Sequence, residues 1–475
     1  MNSEKTTAGT RLYALGFGLF LGLAILKFGN PVILDHKIIP PVSPAEFWTD
    51  AWPTHWGNWI FLPLALAGAA LAFIGKPRWP STRWLWVLPL LWFGWQLLST
   101  TQTVDGNLTA ATLWQFAGCV ACYFLGALVL GREWVMCWLL AGILAAFALC
   151  LIKGINQRLV EFPQSRQVLL EGERADWTNI PPAMFAEMKR NRVIITTNGM
   201  DVANPAILAK FAKGRVNGTL VYPNALAGLI LLLLPVSLVL AFNRTKPLRP
   251  PIRAAVIALT VFLGGTAFFW TGSKLGWLIA MAIGGACLFR LPWPMRLKLA
   301  ALAGILLIGL VIFAVRFHGY FAAGATSAGA RFDYSRAAVQ ITCQHPLLGT
   351  GPGTFQRPYE RLKSTAAEMA RLAHNDYLEQ FSDSGIAGGV FYVAWIVVSL
   401  ATIGRRVWRS GDPMTFALFA GLLGWFVQGL GEFSLYIPAL AWTAFTLLGV
   451  LQHEPAGNFL NGEGGVVAGG EEQRR

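Results

Sequence analysis

Charge is what this sequence has least of. Asp, Glu, Lys and Arg make up 13% of its 475 residues, about half of the ~25% usual in a soluble domain. With 55% of the residues hydrophobic, that scarcity excludes an ordinary string of soluble domains. Acidic residues are scarcer than basic ones, 24 against 38, for a net charge of +14. The excess does not point to nucleic acid, because no Arg-rich stretch with interleaved aromatics forms a nucleic-acid groove. Cysteine is sparse as well. Cys119, Cys122, Cys137, Cys150 and Cys287 lie in apolar runs and read as small packing residues. The Cys119/Cys122 pair has neither flanking ligands nor a βαβ context to make it a metal or redox motif. Cys343 stands alone in a long loop, which excludes an intrachain disulfide outside the apolar runs. No internal repeat is evident.

What the chain does have is apolar runs. A helix needs roughly 20 apolar residues to cross the hydrocarbon core of a bilayer, and about twelve such runs occur, near 12–34, 58–75, 84–99, 110–130, 134–152, 222–242, 254–270, 275–291, 299–317, 385–404, 414–430 and 437–452. The fold class is therefore all-α, a polytopic transmembrane helical bundle with two long outer loops containing short helices. The short third run and the short last two predict tilted or partly interfacial helices. Alternate connections carry Lys76, Arg78 and Arg83; Arg132; Arg244, Lys246, Arg249 and Arg253; Arg290, Arg296 and Lys298; and Arg405, Arg406 and Arg409. The positive-inside rule puts these in the cytoplasm together with both termini. The division is then N-terminal transmembrane helices over 1–152, a first outer loop over 153–221, central transmembrane helices over 222–317, a second outer loop over 318–384, C-terminal transmembrane helices over 385–452, and a Gly- and charge-rich disordered tail over 453–475. Within the first loop, PPAMFAEMKRNRVIITTNG reads as a short helix followed by a strand-like run.

The second loop is the chemical centre. RFDYSRAAVQITCQHPLLGTGPGTF and RLAHNDYLEQFSDSGIAGG crowd Arg, His, Asn and acidic residues between apolar runs. Helical patterns near 331–343 and 357–382 flank a turn at HPLLGTGPG. In a helix, Arg371, His374, Asn375 and Leu378 share one face. His374 serves either as a general base for a sugar hydroxyl or as a hydrogen-bonded loop residue. Arg331 and Arg336 precede the turn, and a guanidinium suits phosphate. The turn's own N–H groups either cradle an anion or belong to a tight connector needing Gly351 and Gly353 for positive φ; the connector is the reading preferred. In GRVNGTLVYPNALAG, Arg215 and Asn224 flank the outer mouth of a span, as site residues or as an interfacial anchor. Lys274, in TGSKLGW, sits in a very short outer loop where the charge rule disfavours it, either to hold a diphosphate or to snorkel to headgroups. Arg215, Lys274, Arg331 and His374 are far apart in sequence, yet the charge rule assigns all four to one face of the membrane.

RVNGTLVYPNALAGLILLLLP, TGSKLGWLIA, RFDYSRAAVQITCQHPLLGTGPGTF and HNDYLEQFSDSGIAGG together resemble the O-antigen ligase and Wzy-type polymerase superfamily. The resemblance spans roughly Arg215 to Gly389. It implies a GT-C-type membrane glycosyltransferase of the bacterial inner membrane, with its active site on the periplasmic side. The implied donor is a glycan on undecaprenyl diphosphate, and the acceptor is lipid A–core for a ligase or another lipid-linked glycan for a polymerase. It implies no cofactor and no metal, arginines rather than Mg²⁺ meeting the diphosphate. Carried over, the catalytic positions are His374, Arg331 and Arg215, with Lys274, Asn375, Arg371, Arg336 and Asn224 expected to contact substrate. Many relatives have Ser-Arg where this chain has Ser273-Lys274; lysine keeps the charge and loses the planar fork. A reading of another class, a polysaccharide flippase or transporter, fits the span count equally well. Coupled transporters place ionisable residues within spans, and only Lys27 clearly lies inside one.

Overall fold

A short helix at the C-terminal end of the bundle, Pro438–Val450, is buried on every side, and longer helices pack around it. The computed structural model describes residues 2–75, 82–131, 133–322, 326–365 and 367–452. In chain order, α1 (Asn2–Lys27), α2 (Pro44–Thr49), α3 (Thr54–Ile74), α4 (Trp84–Ser99), α5 (Gly106–Leu125) and α6 (Glu133–Asn156) come first. A surface subdomain follows with α7 (Phe162–Arg174), α8 (Pro182–Arg190), the antiparallel hairpin β1 (Ile194–Thr197) and β2 (Met200–Ala203), and α9 (Pro205–Lys213). The chain then runs through α10 (Pro223–Arg244), α11 (Pro250–Thr271), α12 (Lys274–Leu288), α13 (Met295–Ala322), α14 (Thr326–Gln344), α15 (Gln356–Leu362), α16 (Asp376–Ser410), α17 (Pro413–Gln428) and α18 (Pro438–Val450).

Among the described residues, α1, α3, α5, α6, α10, α11, α13 and α16 are long and apolar enough to cross a membrane. The shorter α12, α17 and α18 are apolar too, and with the 16-residue α4 these helices coincide one for one with the twelve runs read from the sequence. The polytopic helical bundle is thus as expected. The shortness of α18 has a different cause from tilting. Trp442, Phe445 and Leu448 on it are fully buried, so it is solvated by protein all round and has no need to match the bilayer. α13 is its opposite, exposed along its apolar length. Lys76, Arg78, Arg132 and the tail 453–475 lie outside the described residues.

The subdomain between α6 and α10 has its own small core of Leu169, Trp177, Ile180, Ile194 and Ala203, and the helix-then-strand reading of its middle is what is found. The helical pattern near 331–343 lies within α14. The expected helix over 357–382 does not form as one piece. α15 ends at Leu362 and α16 starts at Asp376, leaving the residues around His374 in a non-helical loop. The physical reason is local. Asn375 caps α16, its Oδ1 accepting from Tyr377 N (3.1 Å) and Leu378 N (3.0 Å), and an N-cap residue cannot be helical itself. Glu379 reaches back to accept from Ala373 N at 2.9 Å, and His374 between them is left-handed with φ +53°.

The turn HPLLGTGPG is a connector, the preferred reading. Its N–H groups are spent on α16 near the break in that helix at Ser384 and Gly385. Thr350 N donates to Ser382 O (3.2 Å), Gly351 N to Asp383 O (2.9 Å) and Gly353 N to the buried Asp383 carboxylate (2.7 Å). Gly351 and Gly353 both have positive φ. At Gly349, φ is +66° and an added Cβ would lie 2.3 Å from the Asp383 carbonyl carbon. Gly349→Ala is expected to destabilise the fold by about 2 kcal/mol or more, from left-handed strain plus overpacking. Thermal unfolding in detergent, followed by tryptophan fluorescence, checks this; an unchanged midpoint would contradict the close fit of the turn against α16.

Candidate active site

Local sequence signals place the charged side chains of the site. Arg215 follows α9, which Gly214 closes in left-handed conformation. Its Nε donates to Thr271 O at 2.7 Å. That carbonyl lies at the end of α11, and the approach depends on Gly272, whose φ is +58° and whose added Cβ would sit 3.2 Å from Arg215 Nε. Lys274 opens α12 behind the N-cap Ser273. A cation there opposes the helix dipole, and the ring of Tyr320 offsets this, its centroid 3.8 Å from Nζ. Arg331 projects from α14 and His374 from the loop before α16.

These side chains meet. Arg215, Asn224, Lys274, Arg331 and His374 line one cavity of about 240 Å³, together with Tyr334, Glu368 and Glu432. Three cations therefore face two carboxylates and an imidazole. Three other expected contacts lie elsewhere. Arg336 points outward from α14, exposed, and does not line the cavity. Arg371 is on the loop and half-buried, also off the lining, because the helical face that would have aligned it with His374 does not exist. Asn375 spends its side chain on the cap and on Leu430 O, to which Nδ2 donates at 2.9 Å.

The residue missed from the sequence is Glu432, in the connection between α17 and α18. Its side chain is 1% exposed. Oε1 accepts from Arg331 Nη2 and from Asn224 Nδ2 at 2.7 Å; Oε2 accepts from the Tyr222 hydroxyl at 2.9 Å. Asn224 Oδ1 in turn accepts from Arg215 Nη2 at 2.8 Å, so one carboxylate ties together both arginines. Its signal in the sequence is a lone acid in an otherwise apolar outer connection. Burial lowers the Arg215 guanidinium from its ordinary value, with Glu432 opposing and Arg331 adding to the fall; a guanidinium starts so high that it stays charged. Burial and the Glu432 charge push the Tyr222 phenol well above its usual value, which keeps it a donor.

His374 is held by rings. Tyr334 stacks on it with centroids 5.7 Å apart, and Phe433 meets it edge-on at 4.6 Å. Its Nδ1 is 3.8 Å from Glu432 Oε2, beyond hydrogen-bond length, and has no hydrogen-bond partner among the described residues. Chemically, such a site can bind a dianion through its cations and take a proton at the imidazole. Among the described residues, no group of three or more His, Cys, Asp or Glu side chains is arranged to hold a metal ion. A larger cavity of about 700 Å³ lies among α10, α12 and α17, but its lining is apolar apart from Arg290 and it holds none of these groups.

Residues 259–393 match a family model described as O-Antigen ligase (Wzy_C), which supports the O-antigen ligase/Wzy superfamily for this chain. The match takes in Lys274, Arg331 and His374, while Arg215 and Glu432 lie outside it. No curated protein matches the chain.

Proposed function

We propose, from the O-antigen ligase kinship of residues 259–393, that this membrane protein is a glycosyltransferase that moves a glycan from undecaprenyl diphosphate to an acceptor hydroxyl. The acceptor is lipid A–core, on the periplasmic face of the bacterial inner membrane. One observation carries the reading: Arg215, Lys274, Arg331 and His374, from four separate parts of the chain, share one small cavity. The acceptor oxygen attacks the anomeric carbon, forming the new glycosidic bond. The bond from that carbon to the phosphate oxygen breaks, and the electron pair leaves with the lipid diphosphate. The acceptor proton passes to His374, a contribution of ~10²–10⁴ in rate for a general base. Arg215, Arg331 and Lys274 meet the charge that grows on the leaving diphosphate; one such donor is typically worth ~3–4 kcal/mol. A single displacement inverts the anomeric centre.

Purified protein in liposomes, given undecaprenyl-diphosphate oligosaccharide and lipid A–core without any ion gradient, is expected to consume donor and glycosylate the acceptor. A flippase or transporter would leave the donor chemically intact. In cells lacking the protein, long chains are expected to accumulate on undecaprenyl diphosphate; accumulation of single repeat units would instead mark a polymerase.

A further inference from the structure

We infer that Glu432 is a positioning residue shared between Arg331 and His374, and that the donor diphosphate, by taking over Arg331, turns this carboxylate onto the imidazole. The inference rests on the glycosyltransferase reading above and adds an order of events to it.

A carboxylate has about four acceptor positions. Glu432 fills three, with Arg331 and Asn224 on Oε1 and Tyr222 on Oε2. The fourth faces His374 Nδ1 at 3.8 Å, an atom shielded from solvent and without a hydrogen-bond partner among the described residues. A ring nitrogen and a carboxylate oxygen thus stand 3.8 Å apart, beyond hydrogen-bond length. The imidazole cannot close that gap. Tyr334 and Phe433 hold its ring, and its backbone is pinned by the Ala373–Glu379 bond on one side and the Asn375 cap on the other. The carboxylate can close it, because its strongest tie is to Arg331, and a diphosphate competes for that same guanidinium with more charge and a matching two-pronged geometry.

With Arg331 on the diphosphate, Oε2 moves onto Nδ1. That contact keeps the proton on Nδ1 and leaves Nε2 free to accept from the acceptor hydroxyl. It also stabilises the imidazolium formed when the hydroxyl proton arrives. The base is thereby completed only after donor binding. The bland alternative is a buried counter-ion that merely holds Arg331 and Asn224 in place.

The two differ in kinetics. Glu432→Gln keeps the side chain's shape and removes its charge. If Glu432 positions the imidazole, kcat at saturating lipid A–core falls about 100-fold, while KM for undecaprenyl-diphosphate oligosaccharide stays level or drops, since no carboxylate competes for Arg331. A wild-type kcat, a loss confined to a raised donor KM, or a kcat no lower in Arg331→Ala/Glu432→Gln than in Arg331→Ala alone would overturn the proposal. Should E432Q fail to fold, Glu432→Asp decides: reduced kcat at unchanged donor KM supports the role, and full kcat overturns it. His374→Ala and Arg331→Ala are assayed alongside. Wild-type transfer by both would sink the underlying reading itself, whereas their loss with E432Q fully active would sink only this inference.

Discussion

Replacing His374 with Ala is expected to lower glycan transfer by about 10²–10⁴-fold, the range set by losing a general base, while the protein stays folded. The second half of that expectation comes from the way the residue is built in. The loop conformation around it is held by groups other than the imidazole: Ala373 N on Glu379, and the Asn375 side chain on Tyr377 N, Leu378 N and Leu430 O. His374 already carries a Cβ at φ +53°, so alanine there adds little left-handed strain beyond what the histidine already bears. Loss of the ring removes the stacking surface of Tyr334 and Phe433, a local effect. Transfer measured on defined donor and acceptor, with thermal unfolding of the same sample, separates the two quantities. Full transfer by His374→Ala would remove the imidazole from the chemistry.

Arg331→Ala should cost about 10²–10³ in kcat, the loss typical of one donor aimed at developing charge. This variant carries a complication that the geometry makes explicit. Arg331 is the charged partner of Glu432, whose side chain is 1% exposed, and a buried carboxylate stripped of its cation can destabilise a protein by several kcal/mol. Asn224 and Tyr222 would remain on it, which limits the damage. The double variant Arg331→Ala/Glu432→Gln separates stability from chemistry: it removes both charges, so thermal stability recovers, while transfer falls well below that of Glu432→Gln alone. If the double variant transferred as well as Glu432→Gln alone, Arg331 would be a structural counter-ion and not a diphosphate ligand. Arg331→Lys is expected to restore only part of the rate, because an ammonium keeps the charge and loses the fork.

How much of this was legible beforehand varies with the kind of information each feature carries. Helices of the bundle were readable because hydrophobic run length is a one-dimensional quantity, and α1, α3, α10 and α11 stand where the runs stand. The loop before α16 was misread as helix although its signal was local too. Asn375 followed by Asp376 in the first turn is an N-terminal signature, and it was outweighed by the appeal of a His–Asn–Arg face. Arg371 rests on that same helical face and Arg336 on its place before the HPLLGTGPG turn, and neither lines the cavity. Five residues along α14, or three along the loop, are enough to face a side chain away from it.

By itself the sequence determined a membrane-embedded helical bundle, and offered Arg215, Lys274, Arg331 and His374 as polar groups that the charge rule assigns to one face of it. Both follow from the cost of leaving charge or backbone unsatisfied in hydrocarbon, which acts on each segment separately. Only the tertiary structure decided that these four share a cavity, that Glu432 joins their arginines, and that its carboxylate stops 3.8 Å short of the imidazole. Those are distances between segments remote in sequence, set by how α10, α12, α14 and the α17–α18 connection pack, and spacing along a chain holds no record of them.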